Sequence, residues 1–345
     1  MSSKNIFLSK INQLSKHHYD NSPEYKKIID KVYFKKLSAN KIEDVPYLPV
    51  NIFKDLEIKS IPQEQVFKVM NSSGTSNSNP SKIFLDKKNA QIQTITLSKL
   101  VSKILGPKRL PMIILDEKEI IRNPKKYNAK TAAYLGFSIF GNNILYMNKN
   151  NKIDYENLNL FLEKFSDDPF LVFGFTYNVY SSLIEKLNIK NLSKKNLSKA
   201  ILIHGGGWKK MEDRKISNNK FKEILYKKFK LNSIYNYYGL IEQTGSIFLE
   251  SKKCGYFTTT EFSEIVIRDK NFKILSDGKK GFVQILSLLP TSYPGHSILT
   301  EDIGEIVSLK NCSCGSLNKH FRIYGRAKES EIRGCSDVWK KMGKC

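Results

Sequence analysis

Arginine is rare for a chain this basic. Only 7 of the 57 basic residues are Arg, and the others are Lys that occur singly and in pairs, although the formal net charge is +24. Arg is the usual reader of phosphates and bases in nucleic acids, and the sequence contains no Arg-rich stripe. A composition rich in Lys and Asn is typical of genome-wide codon bias. We therefore expect no nucleic-acid partner.

Long apolar runs and a full set of paired cysteines are also lacking. No apolar run reaches the roughly 18 residues that a membrane span needs, and Ile6-Phe7-Leu8 is too short for a signal-peptide core. The 5 cysteines all lie in the last third of the chain. An odd number of cysteines without a signal peptide argues against a disulfide framework. We expect a cytoplasmic protein without a membrane span.

The sequence does contain an alternation of apolar strands and amphipathic helices. With 345 residues, 40% of them hydrophobic, the chain can bury a substantial core. Helical stripes, such as the one that Asp154 can cap and the one over residues 179–187, lie between short apolar segments that predict strands at residues 112–115, 171–176, 200–203 and 233–238. This order predicts an α/β fold with a largely parallel sheet. In such sheets, ligands sit at the carboxyl ends of the strands.

The pattern along the chain predicts four regions. An N-terminal layer of short helices covers 1–60, and an α/β core covers 61–254. From 255 to 330 strands follow one another with few helices between them, which predicts a smaller β-rich lobe of the same domain. A short tail covers 331–345.

A polar loop between two predicted strands is the first candidate for binding an anion. Its hydroxyl residues surround a glycine and precede a lysine: Ser72, Ser73, Gly74, Thr75, Ser76 and Lys82. Hydroxyls and backbone N–H groups in such a loop can converge on a phosphate, with an ammonium nearby. A Walker loop, in contrast, opens a helix. A polar hairpin without a ligand is therefore the alternative.

Three further segments complete a pattern. They are Gly205-Gly206-Gly207, the run Tyr238-Gly239-Leu240-Ile241-Glu242, and Thr300-Glu301-Asp302 paired with Gly325-Arg326. In this order and spacing they resemble the adenylate-forming enzymes, which include acyl-CoA synthetases. A narrower resemblance is to the acyl-protein synthetases of bacterial bioluminescence (LuxE-like) and the related phenylacetate-CoA ligases. It rests on the Ser-Ser-Gly-Thr loop and on the segments 43–50, 173–176 and 204–209.

The resemblance implies the large-domain architecture of adenylate-forming enzymes, with layered α/β sheets and a smaller β-rich lobe. The C-terminal lid domain of larger members is expected to be largely missing. The implied reaction activates a carboxylic acid, of the fatty-acid class, with ATP as the acyl-adenylate and passes it to a protein thiol as a thioester. An acyl-accepting or reductase protein is the implied partner. Two alternatives stay open: a coenzyme A or carrier-protein ligase, and a non-catalytic nucleotide- or polyanion-binding protein.

The resemblance also implies roles for individual residues. The hydroxyls and backbone of residues 72–76 would hold the β- and γ-phosphates, Lys82 would add a positive charge, and Glu242 would hold Mg²⁺. The backbone of residues 205–207 would lie against adenine. The remaining nucleotide contacts would be Tyr238 and Gly239 beside the base and Asp302 and Arg326 at the ribose.

Aromatic residues at one strand end could wall an acyl pocket. Phe173 and Phe175 lie on the predicted strand 171–176, and Tyr177 comes directly after it. Ordinary core packing is the alternative. His204, just before the glycines, is expected either to contact the substrate or to be a buried histidine with structural partners.

The cysteines suggest two roles. Cys254, Cys312 and Cys314 offer three sulfur ligands, and His320 could be the fourth ligand of a structural Zn²⁺. Their C-x-C spacing leaves reduced thiols in a loop as the alternative. Bioluminescence acyl-protein synthetases are acylated on a Cys near their C-terminus, which implies Cys335 as the acylated thiol. An inert tail thiol is the alternative there.

Overall fold

The structure is a computed structural model that describes residues 3–72, 79–122, 129–194, 197–308 and 312–327. These residues form two compact units. The first unit comprises Met1–Thr96, Leu240–Phe248 and Tyr256–Cys345, and the second comprises Leu97–Gly239 and Leu249–Gly255. The division into four regions at residues 60, 254 and 330 stays a prediction.

Helices at the N-terminus cover one face of the first unit. They are α1 (Ser3–Asn21), α2 (Pro23–Val32) and the short α3 (Ile52–Asp55). The Ser22 hydroxyl caps α2 by accepting a hydrogen bond from the Tyr25 N–H, and Pro23 occupies the first helical position. Phe7 and Ile11 of α1 pack in one apolar cluster with Val266 and Leu286. The expected N-terminal helices are therefore present.

A mixed sheet and a hairpin make up the rest of the first unit. The sheet contains β1 (Leu48–Pro49), β11 (Phe257–Thr258), β12 (Ser263–Arg268), β13 (Gly281–Ser287), β14 (Ser297–Val307) and β15 (His320–Arg326). Its order is β11-β15-β14-β13-β12 with antiparallel neighbours, and β1 pairs with β14 in parallel. The hairpin consists of β2 (Lys68–Asn71) and β3 (Lys82–Leu85).

The second unit is built on a parallel sheet. Its strands are β4 (Leu110–Glu117), β5 (Gly141–Lys149), β6 (Lys152–Ile153), β7 (Phe170–Phe175), β8 (Ala200–Gly205) and β9 (Ser233–Gly239). They follow the order β9-β8-β7-β4-β5-β6, and all neighbours are parallel except the short antiparallel β6. The predicted α/β fold with a parallel sheet is confirmed.

Helices connect these parallel strands, as the right-handed βαβ arrangement requires. They are α5 (Glu119–Arg122), α6 (Ala129–Ser138), α7 (Tyr155–Phe165), α8 (Thr176–Asn178) and α9 (Asn218–Phe229). Two elements cross a boundary between the units: α4 (Lys87–Leu105) and β10 (Ile247–Leu249). Short 3₁₀ turns occupy Ile42–Asp44, Gln63–Gln65, Ile189–Asn191, Lys209–Arg214 and Ile241–Gln243.

Two local predictions in the second unit have different outcomes. The Asp154 carboxylate accepts a hydrogen bond of 3.1 Å from the Asn157 N–H and caps α7, as predicted. The α-helix expected over residues 179–187 is instead a π-helix over Val179–Lys186. Its last backbone hydrogen bond runs 2.8 Å from the Leu187 N–H to the Ser182 oxygen, five residues back.

None of the helices within the described ranges combines the length and the apolarity that crossing a bilayer requires.

Two stacked histidines lie buried in the first unit. The rings of His18 and His296 are 4.8 Å apart, and Tyr25 meets His296 edge-on. The His18 Nε2–H donates to the Pro290 oxygen at 3.1 Å, so its Nδ1 accepts from the Ser60 hydroxyl at 2.8 Å.

Hydrogen-bond donors and acceptors likewise determine the tautomer of His296. The Ser15 hydroxyl donates to the Ile11 oxygen, so it accepts from the His296 Nε2–H at 3.0 Å. The His296 Nδ1 is then a buried lone pair without a hydrogen-bond partner in the described part of the chain. Burial lowers the pKa of His296 to about 3, with a smaller effect of His17. Burial also holds the pKa of His18 well below its usual value, and His296 adds to this effect.

We predict from this cluster that acid destabilises the first unit. Because both pKa values are lower in the folded state, stability is full above the unfolded histidine pKa of about 6.5 and falls as the pH drops below it. Each histidine contributes about 1.4 kcal/mol of unfolding free energy per pH unit in that range. Denaturant unfolding at a series of pH values between neutral and acidic measures the slope.

The matched variants are His296→Gln and His17→Gln. The His296→Gln variant should have a shallower acid slope, whereas replacing the exposed His17 should leave most of the slope in place. Equal slopes in wild type and the His296→Gln variant would contradict the assignment.

Candidate active site

The base of the Ser-rich loop is described in the first unit. β2 and β3 pair from Lys68↔Leu85 to Asn71↔Lys82. Beyond them the Ser72 N–H donates to the Ser81 oxygen at 3.0 Å, and the Ser72 hydroxyl accepts from the Ser81 N–H at 2.8 Å. Ser72 thus closes the base of the loop. The other predicted phosphate ligands lie outside the described residues: Ser73, Gly74, Thr75 and Ser76.

Lys82 is the first residue of β3. Its ammonium is exposed and donates to the Glu57 carboxylate at 2.6 Å. In the structure the positive charge that was predicted to meet a phosphate is therefore paired with an acid. Its role at a phosphate stays a prediction that requires the Lys82–Glu57 pair to open.

Glu242 is a buried carboxylate in the same unit. It lies in the 3₁₀ turn Ile241–Gln243. The Tyr293 hydroxyl donates to the Glu242 backbone oxygen at 2.9 Å, and the Gln243 amide donates to the Ile285 and Gly295 oxygens at 3.0 and 2.8 Å. Contacts from the neighbouring sheet and its loops therefore fix the turn.

The surroundings of the Glu242 carboxylate are polar and positively charged despite its burial. Burial raises its pKa, while Ser81, Lys54 and Arg326 oppose that rise. The Ser81 hydroxyl lies beside the carboxylate, yet it is buried without a hydrogen bond of ordinary geometry within the described residues. The sequence identified Glu242. It did not identify Ser81 or Lys54 as its neighbours, although both stand beside quoted motifs.

The predicted ribose residues lie opposite each other on adjacent strands. Asp302 of β14 pairs with Arg326 of β15, and the Asp302 N–H donates to the Thr300 hydroxyl at 3.1 Å. Glu301 lies between Thr300 and Asp302 in the sequence. Its carboxylate accepts from the Asn51 amide and lies 3.9 Å from the Arg326 guanidinium. The first unit thus brings together Ser72, Glu242, Asp302 and Arg326 with Ser81, Lys54 and Glu301.

In the second unit the three glycines end strand β8 and begin the loop after it. The Tyr237 ring lies on the side of Gly205 where a side chain would stand, because a Cβ atom built there would lie 2.4 Å from the ring. A glycine is therefore needed at this position. The prediction that the backbone of residues 205–207 lies against adenine stays a prediction, and on the Cβ side of Gly205 the neighbouring group is the Tyr237 ring. Gly206, with φ +72°, and Gly207 are exposed. Tyr238 and Gly239 end β9 and are half-buried.

His204 is buried and neutral. The Thr176 hydroxyl donates to the Gly205 oxygen at 3.2 Å and therefore accepts from the His204 Nδ1–H at 3.0 Å. Burial lowers the pKa of His204 to about 3, and the positive charge of Lys222 adds to this. With 1% of its surface exposed and Phe221 against its ring, it has the structural surroundings that were the alternative to substrate contact.

The two phenylalanines of β7 have different surroundings. Phe173 is fully buried and stacks on Phe137, with the ring centroids 4.0 Å apart, which is the core packing given above as the alternative. Phe175 stacks on Tyr177 with the ring centroids 6.1 Å apart, and its ring lies on the side of Gly206 where a Cβ atom would stand. The acyl-pocket role of both residues stays a prediction.

A polar cluster at the end of β4 was missed in the sequence. Asp116 accepts hydrogen bonds from the Tyr134 hydroxyl and, at 2.9 Å, from the Asn178 amide, and the Lys130 ammonium lies at 2.5 Å. Burial by itself lowers the pKa of Lys130, but Tyr177 and Asp116 raise it overall. A single Asp after an apolar strand gives no signal of such a cluster, because its partners come from distant segments.

Three of the predicted zinc ligands meet in the first unit. The ligand atoms of Cys312, Cys314 and His320 lie within 4.8 Å of one another. The Cys314 sulfur is 3.0 Å from the His320 Nε2. Cys254 belongs to the segment Leu249–Gly255 of the second unit, and its part in this group stays a prediction. Cys335 lies outside the described residues.

Comparison with proteins of known sequence gives two bacterial relatives. The chain is 22% identical over 304 residues to the long-chain-fatty-acid–luciferin-component ligase of Aliivibrio fischeri. The matched region covers 85% of this chain and 77% of that protein. It is 22% identical over 344 residues to the protein of the same name from Vibrio harveyi, covering 93% of this chain and 83% of that protein.

Comparison with solved structures gives ligases of the adenylate-forming type. An open conformation of 2-hydroxyisobutyryl-CoA ligase, in complex with 2-HIB-AMP and CoA, superposes with a TM-score of 0.72 at 14% identity, covering 94% of this chain and 70% of that one. The amide bond synthetase McbA from Marinactinospora thermotolerans has a TM-score of 0.51 at 14% identity, covering 84% and 53%. At these identities the likeness concerns the fold, and it confirms the predicted architecture.

The sequence also matches a protein family over nearly its whole length. The match covers residues 2–342, and the family is described as acyl-protein synthetase, LuxE. The chain therefore belongs to the LuxE family of acyl-protein synthetases.

Proposed function

We propose that this acyl-protein synthetase uses ATP to activate a carboxylic acid as its acyl-adenylate and then transfers the acyl group to a protein thiol. The observation that carries the proposal is the setting of Glu242. Its buried carboxylate lies beside Ser81 at the base of the Ser-rich loop, and the charges of Lys54 and Arg326 act on it.

Two anions must meet in the first half-reaction. A carboxylate oxygen attacks the α-phosphorus of ATP, the bond to the bridging oxygen breaks, and pyrophosphate leaves. Positioning and positive charge aimed at the phosphates lower the barrier to such a step. We assign this work to Arg326, Lys54 and Lys82, with the hydroxyls and N–H groups of residues 72–76 holding the β- and γ-phosphates.

Glu242 and Ser81 fit a magnesium-bound triphosphate. Mg²⁺ prefers carboxylate, hydroxyl and phosphate oxygens. A buried carboxylate beside a buried hydroxyl, which makes no hydrogen bond of ordinary geometry to the described residues, is a donor set of this kind. We assign Glu242 to hold the ion, which when bound would neutralise part of the phosphate charge.

The nucleoside contacts follow the resemblance described above. Asp302 would accept from the ribose hydroxyls and Arg326 would donate to the same sugar, with Glu301 orienting the guanidinium. For adenine we propose the exposed backbone of Gly206 and Gly207, together with Tyr238 and Gly239. Gly205 is left out because the Tyr237 ring covers it.

The acid and its acceptor are proposed from the relatives. Their names specify a long-chain fatty acid, and we propose a fatty acid as the substrate here. In the second half-reaction a thiolate attacks the acyl carbonyl carbon, a thioester forms, and AMP leaves. We propose Cys335 as the first acceptor, from which an acyl-accepting protein partner would take the chain.

We also propose a structural zinc ion in the first unit. Cys312, Cys314 and His320 provide the sulfur and nitrogen ligands that Zn²⁺ prefers, and their ligand atoms converge. Cys254 is the fourth ligand suggested by the sequence. The ion would hold the loop before β15 in place.

The Glu242→Gln variant should lose acid-dependent ATP–pyrophosphate exchange by about 100-fold or more, because a charged group that stabilises the transition state is removed. Glu223→Gln is the matched control. Glu223 is an exposed carboxylate of α9 paired with Lys220 and Lys227, and its loss should leave the exchange rate unchanged. Similar rates in the two variants would contradict the role of Glu242.

The Cys335→Ala variant should retain pyrophosphate exchange but no longer carry a labelled acyl chain, because only the second half-reaction uses the thiol. Cys345→Ala is the control and should be labelled like wild type. Mass spectrometry of the acylated products locates the chain. Label on Cys335→Ala protein, or product only on coenzyme A, would overturn this acceptor.

Metal analysis of the purified protein should find zinc, and Cys312→Ser should reduce both the zinc content and the melting temperature, the latter by several degrees. Cys345→Ser controls for loss of a thiol elsewhere. Cys254→Ser tests the fourth ligand in the same way. Protein free of zinc, with Cys312→Ser as stable as wild type, would remove the proposed ion.

A further inference from the structure

The turn after α2 displays an aromatic residue to solvent. Phe34 is 82% exposed. Its φ is 49°, and that of the next residue, Lys35, is 63°. Both values lie in the left-handed region, which is unfavourable for residues with a side chain and especially for a bulky one. A Gly or Asn would be the ordinary choice at either position.

This turn is held in place by its own contacts. The Lys35 N–H donates to the Ile29 oxygen at 3.3 Å and the Lys36 N–H to the Tyr33 oxygen at 2.9 Å. The Tyr33 hydroxyl donates to the Tyr47 oxygen at 2.8 Å. The neighbours of Phe34 on both sides are thus anchored, and the outward direction of its ring is built into the backbone.

The sequence on both sides of the exposed ring is rich in lysine. Residues 26–41 contain 6 lysines and 1 aspartate, and all of these lysines are exposed. The Asp30 carboxylate accepts a hydrogen bond of 2.7 Å from the Tyr19 hydroxyl. Within the described ranges none of the 6 lysines forms an ion pair. Lys220 and Lys227 of α9, in contrast, both pair with Glu223.

We propose that the end of α2 and the turn after it dock this protein on the surface of an anionic phospholipid bilayer. These residues, 26–41, are here together called the Phe34 turn. Phe34 would enter the headgroup region, and the lysines would lie against the lipid phosphates. An aromatic tip with a basic rim is the pattern of peripheral membrane attachment. The lysine stems can extend along the interface while their ammonium groups reach the phosphates.

The chemistry of the turn favours a bilayer over other anionic partners. A nucleic acid would be read by Arg, and residues 26–41 contain none. A protein partner would be expected to bury a contiguous apolar patch. Phe34 instead is an isolated exposed aromatic in a sequence of exposed lysines, with Lys31 before it and Lys35 and Lys36 after it. One consequence rests on the proposed function: docking would place the enzyme where long acyl chains dissolve.

The test is co-sedimentation of the full chain with vesicles. We expect binding to vesicles of phosphatidylcholine mixed with phosphatidylglycerol, weakening as salt rises, and no binding to phosphatidylcholine alone. Phe34→Ser should reduce the affinity about tenfold through the lost apolar contact. Joint replacement of Lys31, Lys35 and Lys36 by Gln should reduce it about 100-fold.

Matched variants elsewhere separate the turn from general charge and apolarity. Phe67→Ser removes another aromatic of the first unit, 57% exposed, and should bind like wild type. A triple Gln variant of the exposed Lys164, Lys220 and Lys227 removes the same charge from the second unit and should have little effect. Phe34→Trp should show a fluorescence blue shift with anionic vesicles that Phe67→Trp lacks.

Several results would overturn the proposal. They are absence of binding to anionic vesicles, equal loss in the Phe34 and Phe67 variants, and binding to an acidic polypeptide but not to vesicles. Pyrophosphate exchange with a short, water-soluble acid distinguishes the two hypotheses. Phe34→Ser protein that catalyses pyrophosphate exchange at the wild-type rate but no longer sediments with the vesicles supports docking, whatever the identity of the natural acid.

Discussion

The buried carboxylate of Glu242 is the constraint on which the account of the first unit depends. Burying an ionisable group is unfavourable unless hydrogen bonds or opposite charges compensate. Here the backbone of the turn is secured by Tyr293 and Gln243, while Ser81, Lys54, Arg326 and the backbone of Glu242 itself oppose the effect of burial on the carboxylate. A carboxylate whose pKa is raised by burial and opposed by specific neighbours is typical of a functional site.

The second unit contributes a different property, namely a rigid edge of the parallel sheet. The strand ends after β4, β7 and β8 are fixed by Asp116, Thr176 and the Tyr237 ring. His204 and Asp116 are both buried, yet their roles differ. The histidine is neutral and hydrogen-bonded to Thr176, while the aspartate gathers an ammonium and a hydroxyl from α6 and an amide from α8.

Much of this could be read from the sequence, because the strongest signals are local. The apolar run that forms β7 and the Asp154 cap of α7 depend only on neighbouring residues, and both were predicted. The order of the Ser-rich loop, Glu242 and Asp302 identified the family. What could not be predicted depends on contacts between distant segments. The sequence does not reveal that Tyr237 covers Gly205, that Ser81 and Lys54 act on Glu242, or that Phe34 points into solvent.

The central claim is that the chain makes an acyl-adenylate, and ATP–pyrophosphate exchange across a panel of carboxylic acids tests it most directly. The account predicts that exchange of labelled pyrophosphate into ATP requires Mg²⁺ and an acid, and that long-chain fatty acids are the most effective. Exchange that is absent with every acid, although the protein is folded and binds ATP, would contradict the claim.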